Sequence, residues 1–312
     1  MKKLIIIFAF FAGFYNCMDA QEEAIYSHYH LNPLLINPAT AGFDEDYYHL
    51  FFNARSSWVE FPETPRTFSL SFNGPLTNNF GIGALLFTEN IASLSRNRLQ
   101  LSYSGRYNFS EDFKGALGFS TEFHRTRITS NVLNNQLIEV GDNIVEDAID
   151  GLRVFDVSVG IYGAFREKTY GGITIPNLVR NRLDDINGDL SSFHYIIFAG
   201  HRIEPVGTSF SLEPSFAVKR VRTVPFQIDF TLKAGFLDDK LMTGLTYRAG
   251  TGGDLAILIG TNYQNLQAFY TYNVYFGEFQ TYNNGSHEFT VSYRFERKSG
   301  KFDRTKKYRG DK

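Results

Sequence analysis

Cysteine is almost missing. The single Cys17 falls inside the leader "MKKLIIIFAFFAGFYNCMDA", so a chain beginning at Gln21 would carry none. Disulfides, thiolate nucleophiles and thiolate metal sites are then excluded. An excess of one charge is also lacking. The 31 Lys and Arg nearly balance the 33 Asp and Glu, and a net charge of −2 leaves no basic footprint for nucleic acid. Past the leader no run approaches the ~18 apolar residues of a membrane helix. Tryptophan is down to one, Trp58, yet 31 Phe and 18 Tyr bring the aromatic share to 16%. Aromatics at that level suit strands and membrane interfaces better than a helical core.

The leader has Lys2 and Lys3, an apolar stretch, and a small residue at Ala20. It reads as a cleaved secretory signal over residues 1–20. A retained anchor would need a span of ~20 residues, which this run does not reach. Lipidation at Cys17 would want a small residue before it, where Asn16 stands.

From about residue 50 to 296 the hydrophobic period is two. In "LQLSYSGRYNF" Leu99, Leu101, Tyr103, Tyr107 and Phe109 alternate with Gln100, Ser102, Ser104, Arg106 and Asn108. "FQIDFTLKAGF" and "HEFTVSYRF" repeat the pattern, each implying a half-buried strand. About fourteen such segments follow one another, the least clear at 192–202, where both faces are apolar. Tight connections such as "SED", "RE", "LDD" and "QN" alternate with long polar ones at 128–152, 176–191 and 277–285. That alternation predicts an all-β, up-and-down antiparallel transmembrane barrel of about 14 strands over residues 50–296. An even strand number puts both chain ends on the short-turn side.

The competing architecture is a secreted sandwich or propeller. Several segments reach ten or more residues, about the length of a tilted membrane strand, and this favours the barrel. Mid-strand charge at Arg106, Glu122, Asp156, Glu213, Asp229, Lys233 and Arg294 then lines the lumen. Mixed signs suggest a cross-linked, filled interior more than a selective ion ring.

Residues 21–49 do not share the alternation. "LNPLLINPATAG" carries Pro33 and Pro38, which would break a helix twice and are poor strand residues. Asn32 and Asn37 can bond nearby backbone. Residues 297–312, with eight Lys or Arg in the last sixteen residues, read as a solvated basic periplasmic tail.

Groups that carry chemistry are scarce. His28 and His30 in "HYH" have chelating spacing but no third ligand nearby. Glu146, Asp147 and Asp150, and Asp184, Asp185 and Asp189, lie in the long connections, where solvated turns explain them without an EF-hand pattern. "GTGGD" at 250–254 lacks the following helix of a phosphate cradle. No serine and histidine form a nucleophile elbow. The expectation is a protein without catalytic residues, metal or cofactor.

"YSHYHLNPLLINPATAG" followed by "NARSSWVEFPETPRTFSLSFNGPL" resembles the start of the PorP/SprF family of Bacteroidetes outer-membrane proteins. The first family motif is matched by Asn32, Pro33, Leu34, Asn37, Pro38, Ala39, Ala41 and Gly42. The second is matched by Arg55, Trp58, Phe61, Pro65, Thr67, Ser69 to Phe72, Pro75 and Leu76, and "SHEFTVSYRF" is similar to the family's last strand. The resemblance implies a part in type IX secretion, in the outer membrane of a Gram-negative bacterium. It also implies that the irregular residues 21–49 fold into the barrel as a plug, their carbonyls met by lumen side chains; the alternative is a disordered periplasmic leader. The implied partners are a large secreted adhesin with a B-type C-terminal signal domain, often gliding-related, and periplasmic type IX components. A partner held at the long-loop rim would meet Trp58, Phe61, Asp142, Glu146, Asp147, Asp184 and Asp185. The alternative is a FadL-like transporter of small hydrophobic molecules, which needs a continuous apolar interior.

Overall fold

The computed structural model describes residues 28–59, 63–129, 149–180, 194–221, 226–250, 253–276 and 284–297. The leader and the residues after 297 lie outside them. Fourteen strands form: β1 (Tyr47–Ser56), β2 (Arg66–Pro75), β3 (Phe80–Ile91), β4 (Leu94–Asn108), β5 (Phe113–Ile128), β6 (Leu152–Phe165) and β7 (Thr169–Ile175). They continue as β8 (Tyr195–His201), β9 (Phe210–Arg220), β10 (Gln227–Phe236), β11 (Leu241–Ala249), β12 (Asp254–Tyr263), β13 (Leu266–Tyr275) and β14 (Ser286–Glu296). Each pairs antiparallel with its neighbours in sequence, and β1 closes the barrel on β14.

The period of two sets the two faces of the wall. Phe52, Leu70, Leu86, Leu99, Phe119, Ile161, Phe230, Leu245, Ile257 and Phe289 point outward and stay exposed. An apolar surface this extensive is stable against hydrocarbon and not against water. The alternate residues face the lumen: Asn53, Ser69, Ser102, Ser120, Asp229, Thr246 and Thr290 are buried there.

The chain connections fall into the two expected sets. At the end shared with both strand termini they run 76–79, 109–112, 166–168, 202–209, 237–240 and 264–265. At the other end the gaps 57–65, 129–151, 176–194 and 276–285 are longer. Three connections there are short: 92–93 between β3 and β4, where Ala92 takes φ 50°, 221–226 between β9 and β10, and 250–253 between β11 and β12. Two adjustments to the sequence reading follow. β1 starts at Tyr47, three residues before the expected 50, and the segment expected at 192–202 is β8 at Tyr195–His201.

Its second apolar face also has a reason. Ile196 and Phe198, on the inner face of β8, pack in a cluster with Tyr29, Leu35, Ile36, Leu85 and Ala217. The inner face of this strand is apolar because other side chains, not water, fill the lumen beside it.

A plugged lumen as the candidate functional site

The chain ahead of β1 lies inside the barrel as three single-turn 3-10 helices, His28–His30, Pro33–Leu35 and Pro38–Thr40. Two of them begin at a proline, which presets φ and lacks only an amide that would be unbonded there anyway. The sequence pattern excluded a long helix and a strand; short 3-10 turns are what remains when proline recurs every five residues.

Asn37 pins this segment. Its Oδ1 accepts from the Ala39 amide at 2.8 Å, and its Nδ2 donates to the Ile161 carbonyl of β6 at 2.9 Å. Asn32 donates to Ser71 Oγ of β2 at 2.8 Å. The Ala41 carbonyl accepts from Ser104 of β4, and the Gly42 amide meets Asn73 Oδ1 at 3.4 Å. Gly42 takes φ 56°, a left-handed conformation that favours glycine, and lies against the Gly74 carbonyl.

The wall is shaped to receive the segment. A Cβ added at Gly118 would overlap the backbone of Ala39, one at Gly160 would overlap the Asn37 side chain, and one at Gly81 the Ala41 carbonyl. These inward glycines on β3, β5 and β6 allow backbone-to-backbone approach. Apolar contacts hold the rest: Leu34 and Ala39 are buried, and Leu31 packs on Met242, Leu258 and Phe269 of β11 to β13. Each fully buried Leu or Ile side chain contributes roughly 1.5–3 kcal/mol.

At the seam where the barrel closes, Glu288 of β14 is fully buried. It accepts from Arg55 at 2.8 Å and Asn53 at 2.9 Å, both on β1, and from the His28 amide at 3.3 Å. The His28 ring nitrogens lie 2.6 Å from Thr290 and Thr271 hydroxyls. One carboxylate thus joins the first strand, the last strand and the start of the plug. Of the two "HYH" histidines, His28 serves this anchor, and no group of three or more metal-ligating side chains occurs among the described residues.

The lumen charges named from the sequence all face inward. Lys233 and Glu213 stand opposite each other and pair at 3.0 Å. Glu122 and Asp156 are also direct cross-strand neighbours, yet separate partners serve them. Glu122 bonds Ser120 and Ser158 and has Arg98 at 3.8 Å, and Asp156 pairs with Arg180 at 3.2 Å. Arg106 donates to the carbonyls of Thr77, Asn78 and Phe80 in the turn below it. Arg294 lies over the Tyr47 ring at 5.4 Å.

Asp229 sits in a cluster that sequence reasoning missed: Arg248 at 3.0 Å and Lys219 at 2.9 Å, with Arg248 also paired to Asp254 at 3.0 Å. Asp254, the last residue of "GTGGD", starts β12 directly opposite Arg248, a register that the local sequence does not display. Outside the spanning strands, burial raises the Asp44 carboxyl, but hydrogen bonds from His49 and the Asp46 amide outweigh it and hold the group below the usual carboxylate range.

Of the rim residues, Trp58 lies in the connection after β1, at the long-loop end, with its amide on Ser286 Oγ at 3.1 Å. Phe61, Asp142, Glu146, Asp147, Asp184 and Asp185 lie outside the described residues. Beyond the plug, a cavity of about 100 Å³ lies between Leu35–Pro38 and Arg98, Glu122, Ser158, Thr174 and Lys219.

A closed fourteen-strand barrel with an apolar outside, a charged lumen and an N-terminal plug defines an outer-membrane β-barrel protein of Gram-negative bacteria. The model of the type IX secretion system membrane protein PorP/SprF family matches residues 18–293, and the chain belongs to that family. Among solved structures, it is similar to the CymD monoaromatic hydrocarbon channel at 10% identity, covering 88% of this chain and 93% of that one, with a TM-score of 0.50. A Pseudomonas aeruginosa FadL homologue matches at 10% identity over 83% and 92% of the two chains, TM-score 0.49. The Acinetobacter baumannii outer membrane protein Omp33 matches at 6% identity over 80% and 99%, TM-score 0.48. At these identities the likeness concerns the barrel fold alone. No curated protein matches the chain.

Proposed function

We propose that this protein is a non-enzymatic partner in type IX secretion that binds and anchors a secreted surface adhesin bearing a B-type C-terminal signal domain. The observation that carries this reading is the occupied lumen: the chain's own residues 28–42 fill the barrel and bond to its wall on several sides. A protein built this way offers its rims to a partner more readily than its interior. Long connections on a rigid scaffold are where binding residues concentrate, and they gather at the end away from the start of β1 and the end of β14. Family membership supports association with secretion-system components and substrates.

In this reading the adhesin is held at the long-connection rim, with Trp58, Phe61 and the acidic groups Asp142, Glu146, Asp147, Asp184 and Asp185 facing it. Basic or donor groups on the partner would complement them, and salt would slow association. The FadL-like transporter reading needs a continuous apolar route. Here Arg55, Arg106, Glu122, Asp229, Arg248 and Glu288 interrupt the wall, and its apolar patches at Ile196, Phe198, Met242 and Phe269 are covered by the plug.

The test replaces residues 130–148 with a short Gly-Ser link and leaves every strand intact. Adhesin on the cell surface, measured by antibody labelling, should fall at least about tenfold while the barrel keeps its heat-modifiable migration. Undiminished display would move the partner to the opposite face.

A further inference from the structure

The outer face of β4 to β6 carries two features that neither the plug nor a rim partner uses. β3 to β6 are the tallest part of the wall, with 12, 15, 16 and 14 residues against seven each in β7 and β8. Along β5 the outward residues Leu117, Phe119 and Phe123 are exposed, and Arg125 and Arg127 continue the same face above them. On β6 the exposed Phe155 continues to Arg153. The Phe123 and Phe155 rings lie 5.2 Å apart, as at an aromatic girdle.

From Phe113, exposed at the lower end of β5, to Phe123 is ten residues, about 33 Å along the strand. At a barrel tilt of about 40° this is roughly 25 Å of height, the thickness of the apolar band. Arg125 therefore stands just above the hydrocarbon, at the level of headgroups.

Register places Arg125 directly opposite Arg153, an unfavourable pairing of like charges. Arg125 donates to the Asp150 carbonyl at 2.9 Å, and among the described residues none of Arg125, Arg127 and Arg153 has a carboxylate ion partner. Lower on the same face is an apolar groove of about 690 Å³, lined by Phe80, Tyr103, Leu117, Phe119, Ile161 and Ile173, and opened by the outward Gly105. Phe119 to Arg125 is six residues, about 20 Å along the strand and roughly 15 Å in height at that tilt. That is half the ~30 Å hydrocarbon core, the depth of one lipid tail.

We propose that this face is a binding site for an outer-leaflet lipid with a phosphorylated headgroup. Arg125, Arg127 and Arg153 hold the phosphate, and the groove below takes an acyl chain. Charge complementarity chooses the occupant: a neutral lipid would leave the facing arginines without a counter-charge among the described residues, and a soluble anion would leave the groove without a role.

Native mass spectrometry of the full chain in detergent, titrated with diphosphorylated lipid A, tests this. Replacing both facing arginines (R125Q/R153Q) should weaken lipid retention about thirtyfold, the effect of two basic side chains at an anionic surface. The variant R125K/R153K should stay within about threefold of the parent, which separates lost charge from lost folding. G105L, which fills the groove, should weaken retention several-fold, and K240Q at the opposite end should change nothing. Equal retention by R125Q/R153Q, with the barrel folded, overturns the site. Inorganic pyrophosphate displacing lipid equally from the parent and G105L would also overturn it, as that marks a soluble-anion site.

Discussion

Asn37 shows how much one side chain can carry. It caps a 3-10 turn through Ala39, bonds the wall through Ile161, and fills the space left by Gly160 and Gly172. Alanine there removes the cap, leaves the Ile161 carbonyl without this donor and opens a void. The expected cost to plug docking is about 2–4 kcal/mol, from a lost cap and a buried group left unbonded. Hydrogen exchange should speed up across residues 33–43 while the amides of β1 to β14 keep their protection; unchanged exchange would remove Asn37 from the anchor. Glu288 is the other pivotal residue. Removing one partner from a buried ion pair generally costs more than the pair contributes, because a buried charge is left alone.

At the level of elements, the plug and the wall were shaped for each other. Proline starts the turns, and glycine on β3, β5 and β6 clears the space they occupy. Gly118→Val should therefore leave the β4–β5 and β5–β6 ladders intact and push Pro38–Thr40 away from the wall. Overpacking of this kind costs about 1–3 kcal/mol. Limited proteolysis should then cut within residues 31–43 several times faster than in the parent, without loss of the folded barrel. Equal cleavage rates would show that the wall yields instead. β8 teaches a related lesson: a strand apolar on both faces inside a membrane barrel marks where something apolar lies in the lumen.

For the molecule as a whole, a filled lumen fixes what the barrel can pass. The plug and the charged clusters around Asp229, Glu288 and Glu122 occupy the interior from several sides. In planar bilayers the parent should show little steady ionic current. Deleting residues 31–42 should raise conductance at least about tenfold, provided the barrel still closes through Arg55 and Glu288. Large steady currents from the parent would argue for a channel and against an anchoring scaffold. The taller wall at β3 to β6 makes the rim uneven, so a partner and a bound lipid need not compete for the same surface.

Strand number, the phase of the clearly alternating strands and the end at which the longest connections lie were legible from the sequence alone; β8, apolar on both faces, was the exception. A period of two is a local property, and one apolar side chain per pair of residues is enough to fix which face meets lipid. The inward position of Arg106, Glu122, Asp156, Glu213, Asp229, Lys233 and Arg294 followed from the same phase. Only the tertiary structure decided who meets whom. His28 and Glu288 are 260 positions apart, and Arg55 reaches Glu288 only because the last strand returns to the first. Arg248, Lys219 and Asp254 gather around Asp229 through registers that no single segment encodes. The glycines facing the plug look, in sequence, like any glycines in strands. Their meaning arises when closure of the barrel brings residues 37–42 against them, because the contact depends on distant segments meeting in one register.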